Sequence, residues 1–219
     1  MFTVAITINK GGVGKTMCCR SLATAASAEG LFVLLLDMDT QQNSTSWRAR
    51  RPAELLLPHV QFTTERDLEE TLKRAEEAGC DLVIIDTPPG RSTEAAAAAE
   101  NADLVLIPCT SEPECLEGLP RTARLARSAG KTARVVPNFL HPSGKAEDEL
   151  IRGVAKAHGL EAAPVSLHEF QVHRDGSLRG RTAPELEPGS KAAAEIDALW
   201  NWLRAALQNG KDAALHEVA

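Results

Sequence analysis

The sequence contains no tyrosine, and three Trp and five Phe make up an aromatic content of only 4%. A core built mainly on Ala, Leu, Val and Ile is therefore expected. No run of about 18 or more apolar residues occurs, which excludes a membrane-spanning helix of ordinary length. The N-terminus, MFTVAITINK, lacks the basic region of a secretion signal and runs straight into a strand-like pattern, so a cytoplasmic location is expected. The five cysteines (Cys18, Cys19, Cys80, Cys109, Cys115) are odd in number and contain no C-x-x-C pair. That argues against a disulfide framework or a zinc site, and Cys109-x5-Cys115 is poorly spaced for a shared metal cluster. Buried, reduced thiols are expected instead. Positive charge is also short: the formal net charge is −6, which taken alone argues against nucleic acid. The distribution is uneven, however. Residues 121–184 hold 11 Lys and Arg against 6 Asp and Glu, and the remainder holds 13 against 24. The second half is locally basic on an acidic protein.

What is present is a regular alternation of two patterns. Short β-branched or apolar runs fall at 2–8, 31–36, 60–62, 81–85, 104–107, 133–136 and 165–167. Between and after them, helical spacing marks 15–29, 44–51, 65–78, 93–100, 116–129, 146–158 and 190–207, several closed by glycine. Strand–helix alternation predicts an α/β fold: a doubly wound, mostly parallel sheet with helices on both faces. One domain over 1–208 is expected, with a flexible tail over 209–219.

The segment 8–16, INKGGVGKT, lies between the first strand and the first helix. Gly11, Gly12 and Gly14 let the backbone curl so that its N–H groups face an anion, and the helix N-terminus adds a favourable dipole. Lys15 is expected to reach the β- and γ-phosphates of a nucleotide, and Thr16 to place its hydroxyl on Mg²⁺. The standard phosphate-loop pattern fails by one position, because Asn9 stands where its first glycine belongs. A phosphate loop needs one lysine, and this one has a second, Lys10.

K-G-G-V-G-K-T resembles the deviant phosphate loop of the ParA/MinD family of ATPases, with Lys10 at that family's signature-lysine position. The resemblance implies ATP and Mg²⁺ as cofactors, with ATP held by Lys10, Gly11, Gly12, Val13, Gly14, Lys15, Thr16 and Met17. It also implies a homodimer that sandwiches two ATP molecules, in which Lys10 reaches the partner's nucleotide. Residues 37–45, DMDTQQNST, are similar to the family's D-x-D-P-Q-x-N-x-T, with Thr40 for the usual Pro and Gln42 for the usual Gly. By that likeness Asp39 positions the attacking water; the alternative is an N-cap for the helix at 44–51. Asp37 is structural or near the metal. VIIDTPPG at 83–90 has the Walker-B arrangement, an apolar strand ending in a carboxylate, Asp86, that helps hold hydrated Mg²⁺. Asn138, at the end of a later strand, resembles the family's adenine-contacting Asn, and a turn Asn is the alternative.

Residues 168–187 loosely resemble the ParA segment R…G-x-[ST]-x-x-E, through Arg174, Gly180, Thr182 and Glu185. Arg174, Arg179 and Arg181, with Arg152 and Lys156, are the candidates for non-specific phosphate contacts with DNA. No separate helix-turn-helix segment is evident, which matches a short ParA form. The function implied is a partition ATPase. ATP drives dimerisation, the dimer binds nucleoid DNA without sequence preference, and a ParB-like activator stimulates hydrolysis and release. The cargo, whether plasmid, chromosome or protein assembly, stays open. A MinD-like membrane-cycling ATPase is the alternative; it needs a basic amphipathic C-terminal helix, and GKDAALHEVA carries mixed charge and little bulk. No membrane association is expected. A third class, an ATP-dependent ligase or a metal-cluster carrier, lacks an identifiable pocket or paired cysteines.

Overall fold

A computed structural model of the chain describes residues 1–90 and 92–217, the last seven as backbone only. At its centre are seven strands: β1 (Phe2–Ile6), β2 (Val33–Asp37), β3 (His59–Phe62), β4 (Leu82–Asp86), β5 (Leu104–Cys109), β6 (Thr132–Pro137) and β7 (Glu161–Ala162). They form one sheet in the order β3-β2-β4-β1-β5-β6-β7, and each pairing is parallel. The helices are α1 (Lys15–Ala28), α2 (Asn43–Ala49), α3 (Leu68–Glu77), α4 (Thr93–Glu100), α5 (Pro113–Ser128), α6 (Lys145–Ala157), α7 (Gln171–Leu178), α8 (Ala183–Leu186) and α9 (Lys191–Glu217).

The sheet is buried on both faces, which is why its central strands read as unbroken apolar runs. Strand side chains alternate between two cores. Ala5, Val83, Ile85 and Val105 pack with Leu72, Leu119, Ala123 and Ile151 from α3, α5 and α6. Val4, Ile6, Ile84 and Leu106 pack with Leu22 and Ala26 of α1 and with Ile196, Leu199 and Leu203 of α9. All five cysteines are free and buried. No helix of the described residues is long and apolar enough to cross a membrane.

The last strand differs from expectation. Residues 165–167 do not form one; β7 is Glu161–Ala162, paired with Arg134 and Val135. Pro164, two residues past the strand, has no N–H to offer a ladder, and among the described residues the isolated bridge from Leu140 to His168 lies further along the edge. The final helix is also longer than the expected 190–207. The expected tail, with the segment GKDAALHEVA, lies for the most part outside the described side chains.

Strand order places the site. The β1–α1–β2 connection leaves β1 towards one edge of the sheet, and β5 lies on β1's other side. The carboxyl ends of β1, β2 and β4 meet there, the position at which open α/β sheets bind ligands. Hydrogen bonds join the loops that follow. The Gly90 N–H donates to the Asn9 carbonyl, and the Met38 N–H to the Asp86 carbonyl, each over 2.9 Å.

Candidate nucleotide site

The loop between β1 and α1 is curled through two glycines in the left-handed region, Gly12 at φ 78° and Gly14 at φ 85°. Gly14 is also the N-cap of α1. A Cβ there would stand 2.3 Å from Asn138 Nδ2 and 2.9 Å from the Phe139 ring, so the position excludes a side chain on conformation and on space alike. Lys15, the first residue of α1, is 7% exposed. Its ammonium donates to the carbonyls of Lys10 (3.0 Å) and Ile8 (3.4 Å), inside its own loop. Burial lowers its pKa, and the nearby Asp86 carboxylate opposes that shift. A phosphate offers such a buried ammonium a stronger, charge-assisted partner than two carbonyls do.

Lys10 points elsewhere. Its Nζ lies 3.6 Å from Glu112 Oε2 and 3.9 Å from Glu114 Oε2, at the start of α5. The three side chains are between one-third and two-thirds exposed, so the pairing holds Lys10 only weakly. The two lysines of one loop thus have separate surroundings: Lys15 is enclosed by its own loop, and Lys10 lies at the rim.

Across from Lys15, Asp86 ends β4 and is 1% exposed. It accepts from Ser44 Oγ (2.9 Å, Oδ2) and from Thr16 Oγ1 (3.3 Å, Oδ1). Burial pushes its carboxyl up to about 6. The neighbouring Asp37 adds to the shift, and the two hydroxyls oppose it. A carboxylate and a hydroxyl in contact at a helix N-terminus are the hard oxygen donors that Mg²⁺ takes, and a buried carboxyl held above its usual range is one that a cation would relieve. Thr16 and Asp86 are therefore the residues that would hold Mg²⁺, which when bound neutralises phosphate charge.

Asp37 is structural. It is fully buried, and its Oδ2 accepts from the Thr45 N–H (2.9 Å) and hydroxyl (3.2 Å), while Oδ1 accepts from the Asp39 N–H (3.2 Å). Asp37, not Asp39, thus satisfies the first turn of α2 from across the loop. The N-cap position itself is Gln42, without a side-chain cap. That removes the capping alternative for Asp39. Asp39 is half-buried, and its Oδ1 accepts only the Gln41 N–H (2.9 Å) among the described residues.

Asn138 is fully buried, and its Nδ2 donates to the Val13 carbonyl over 2.6 Å. This bond joins Asn138 to the phosphate loop and leaves its Oδ1 unpartnered among the described residues. Beside it opens a cleft of about 680 Å³ that includes Gly12, Met17, Thr110, Phe139, Phe170 and His173. That volume suits a nucleoside-sized ligand. His173 is 9% exposed, its Nε2 has no partner, and burial holds its pKa below the usual value.

The basic candidates divide. Arg152 is half-buried and bonded to Asp148, the Ala163 carbonyl and Ser166. Arg174 pairs with Glu169, and Arg181 with Glu54. Lys156 and Arg179 are exposed and form no ion pair among the described residues. Thr182 and Glu185 form a capping box on α8, and Glu185 also holds the buried Arg51, so these two have structural work. The sequence reading gave no role to Ser44, Glu112, Glu114 or His173. Ser44 stood inside a recognised motif, but the other three carry no local signal.

Comparison with known proteins agrees with this geometry. Residues 4–171 match the model of the CobQ/CobB/MinD/ParA nucleotide binding domain. Over 208 residues the chain is 31% identical to the maintenance of carboxysome distribution protein A of Gloeobacter kilaueensis, covering 90% of this chain and 94% of that protein. Over 143 residues it is 32% identical to the chromosome-partitioning ATPase Soj of Thermus thermophilus, covering 53% and 57%. In fold it is similar to the MinD cell division protein of Aquifex aeolicus, with a TM-score of 0.76 at 20% identity, over 94% of this chain and 98% of that one. ATP with Mg²⁺ is the cofactor pair that goes with such a site. The chain belongs to the CobQ/CobB/MinD/ParA nucleotide-binding family, as an ATPase of the ParA/MinD type.

Proposed function

We propose that this protein is a positioning ATPase whose ATP-bound form is a homodimer that binds DNA without sequence preference. The observation that carries the reading is the position of Lys10. It shares a loop with Lys15 yet contacts Glu112 and Glu114 at the rim. A lysine that its own loop does not use is placed to serve a second copy, approaching the nucleotide face through a two-fold, self-complementary interface. Lys15 and the loop amides bind the phosphates in this scheme, and Lys10 crosses to the partner's ATP. Asp39, two residues beyond the loop anchor Asp37, orients the attacking water. Exposed Lys156 and Arg179, with Arg174 and Arg181 at the price of their carboxylate partners, contact DNA phosphates. A ParB-like activator triggers hydrolysis, which returns the protein to monomers and releases the nucleoid.

The cargo follows the relative matched along nearly its whole length. That protein is named for distributing carboxysomes, so a large protein assembly is the proposed cargo here, with a plasmid or chromosome as the alternative. The test is light scattering and binding to a non-specific duplex with ATP, ADP or no nucleotide, at two salt concentrations, for wild type and Lys10→Ala. Salt-sensitive DNA binding by an ATP-dependent dimer, lost in Lys10→Ala, supports the proposal. Wild type that stays monomeric with ATP, or ignores DNA, refutes it.

A further inference from the structure

Cys109 is the last residue of β5, and Cys115 lies in the first turn of α5. Both are fully buried, and their sulfurs are 3.4 Å apart. A disulfide needs about 2.05 Å between the sulfurs, so joining them requires an approach of little more than an ångström. Of the five residues between them, Thr110, Ser111 and Glu112 line the cleft beside Gly12 and Met17. Both sulfurs sit at the margin of the core under α5, so a small molecule reaches them when the Thr110–Glu112 stretch opens. The same turn carries Glu112 and Glu114, the two carboxylates that hold Lys10.

We propose that Cys109 and Cys115 are a reversible redox site, in which peroxide closes a disulfide that shifts the start of α5 and with it the Lys10 contacts. Its effect on turnover rests on the proposed role of Lys10; the bond itself does not. The Cys115 sulfur is the attacking group. It accepts from the Thr110 N–H over 3.4 Å, and hydrogen bonding with the Cys109 thiol pulls its pKa down, against the effect of burial. The same bond, together with burial, pushes Cys109 up. The Cys115 thiolate attacks one peroxide oxygen; the O–O bond breaks, and hydroxide leaves with the former Cys115 proton as water. The Cys109 sulfur then attacks the sulfenic sulfur of Cys115. The S–S bond forms, the S–O bond breaks, and the departing hydroxide takes the Cys109 proton. Two thiols and one hydrogen peroxide give one disulfide and two waters.

The contrast with the other thiols is internal to the chain. Burial and Asp86 push Cys18 up to about 12 and raise Cys19 well above its usual value, and burial raises Cys80. Among the described residues, none of these three forms a hydrogen bond to another sulfur.

The test uses the whole reduced protein, treated with hydrogen peroxide, alkylated after denaturation and digested with trypsin. Both cysteines fall in one tryptic peptide, 92–121. The expected peptide is two hydrogens lighter and resists alkylation until dithiothreitol is added. ATP turnover falls several-fold on oxidation and returns on reduction, whereas Cys109→Ser and Cys109→Ala keep their turnover under peroxide. Bound ATP, by covering the loop, slows the oxidation. Full alkylation of Cys109 and Cys115 after peroxide would overturn the proposal, as would a disulfide that leaves turnover unchanged. Reduced protein that hydrolyses no ATP would instead count against the functional reading, and the peptide mass would still decide whether the bond forms.

Discussion

Ser44 Oγ donates to Asp86 Oδ2 over 2.9 Å, which ties the loop after β2 to the carboxylate that ends β4. The bond is buried at both ends, so it couples the segment bearing Asp39 to the carboxylate that would hold Mg²⁺. Ser44→Ala leaves one oxygen of a buried carboxylate without its donor, a loss of about 1–3 kcal/mol. The expected result is lower ATP turnover with a higher Mg²⁺ requirement, measured by titrating Mg²⁺ at saturating ATP. Unchanged Mg²⁺ dependence would show that the coupling has no functional weight.

Asp86 also makes the nucleotide-free protein pH-sensitive. Burial pushes its folded-state pKa up to about 6, above the usual carboxylate range. The folded state therefore holds its proton more tightly than the unfolded chain does. That relative stabilisation is full below the unfolded value and is lost as pH rises through about 6, where folding must bury the charge. Asp86→Asn should accordingly raise stability at pH 7.5 by roughly 1–3 kcal/mol, and by little at pH 4. Urea denaturation of the two proteins without nucleotide, at both pH values, checks the sign.

Gln42 adopts φ 50°, ψ 43°, a left-handed conformation, at the position where the family motif carries glycine. A side chain there costs roughly 1 kcal/mol in backbone strain. Gln42→Gly is expected to raise the melting temperature slightly and to leave ATP turnover intact. A marked fall in stability would show that Gln42 makes a stabilising contact.

Arg51 is 7% exposed and is gripped at both ends of its guanidinium by Glu185, at 2.6 Å and 3.0 Å. The same group stacks 4.6 Å from the centroid of the fully buried Trp47 ring. Removing one partner of such a pair costs about 3–5 kcal/mol. Arg51→Ala should lower the chemical-denaturation midpoint sharply. Measured below its melting point, it should still bind ATP, because none of these atoms belongs to the nucleotide site.

The phosphate loop, Asp86 and the parallel sheet were legible because each is a local pattern: a glycine spacing, an apolar run ending in a carboxylate, a repeated alternation. Apart from the longer C-terminal end of α9, boundaries shifted by a few residues, and α4 matched at both ends. What failed was not local. β7 has two residues and no pattern of its own, so the apolar 165–167 drew the assignment past Pro164. The bond from Asn138 to the phosphate loop carries no local signal either, because only the fold reveals that Gly14 leaves room for its amide under Val13. The Lys10–Glu112 pair spans about a hundred residues of chain, and Cys109 meets Cys115 only because a strand ends where a helix begins. Spacing rules for metal ligands had set that pair aside.

The most direct test of Lys10 acting on the partner's ATP is complementation between two inactive variants. Lys10→Ala keeps its own Lys15 and Asp39, and Asp39→Ala keeps its Lys10. Each alone is expected to hydrolyse ATP poorly. In the mixture each mixed dimer has one complete composite site, so turnover should rise clearly above the mean of the two variants. A mixture no more active than the mean of its components would contradict the account and place Lys10 in service of its own loop.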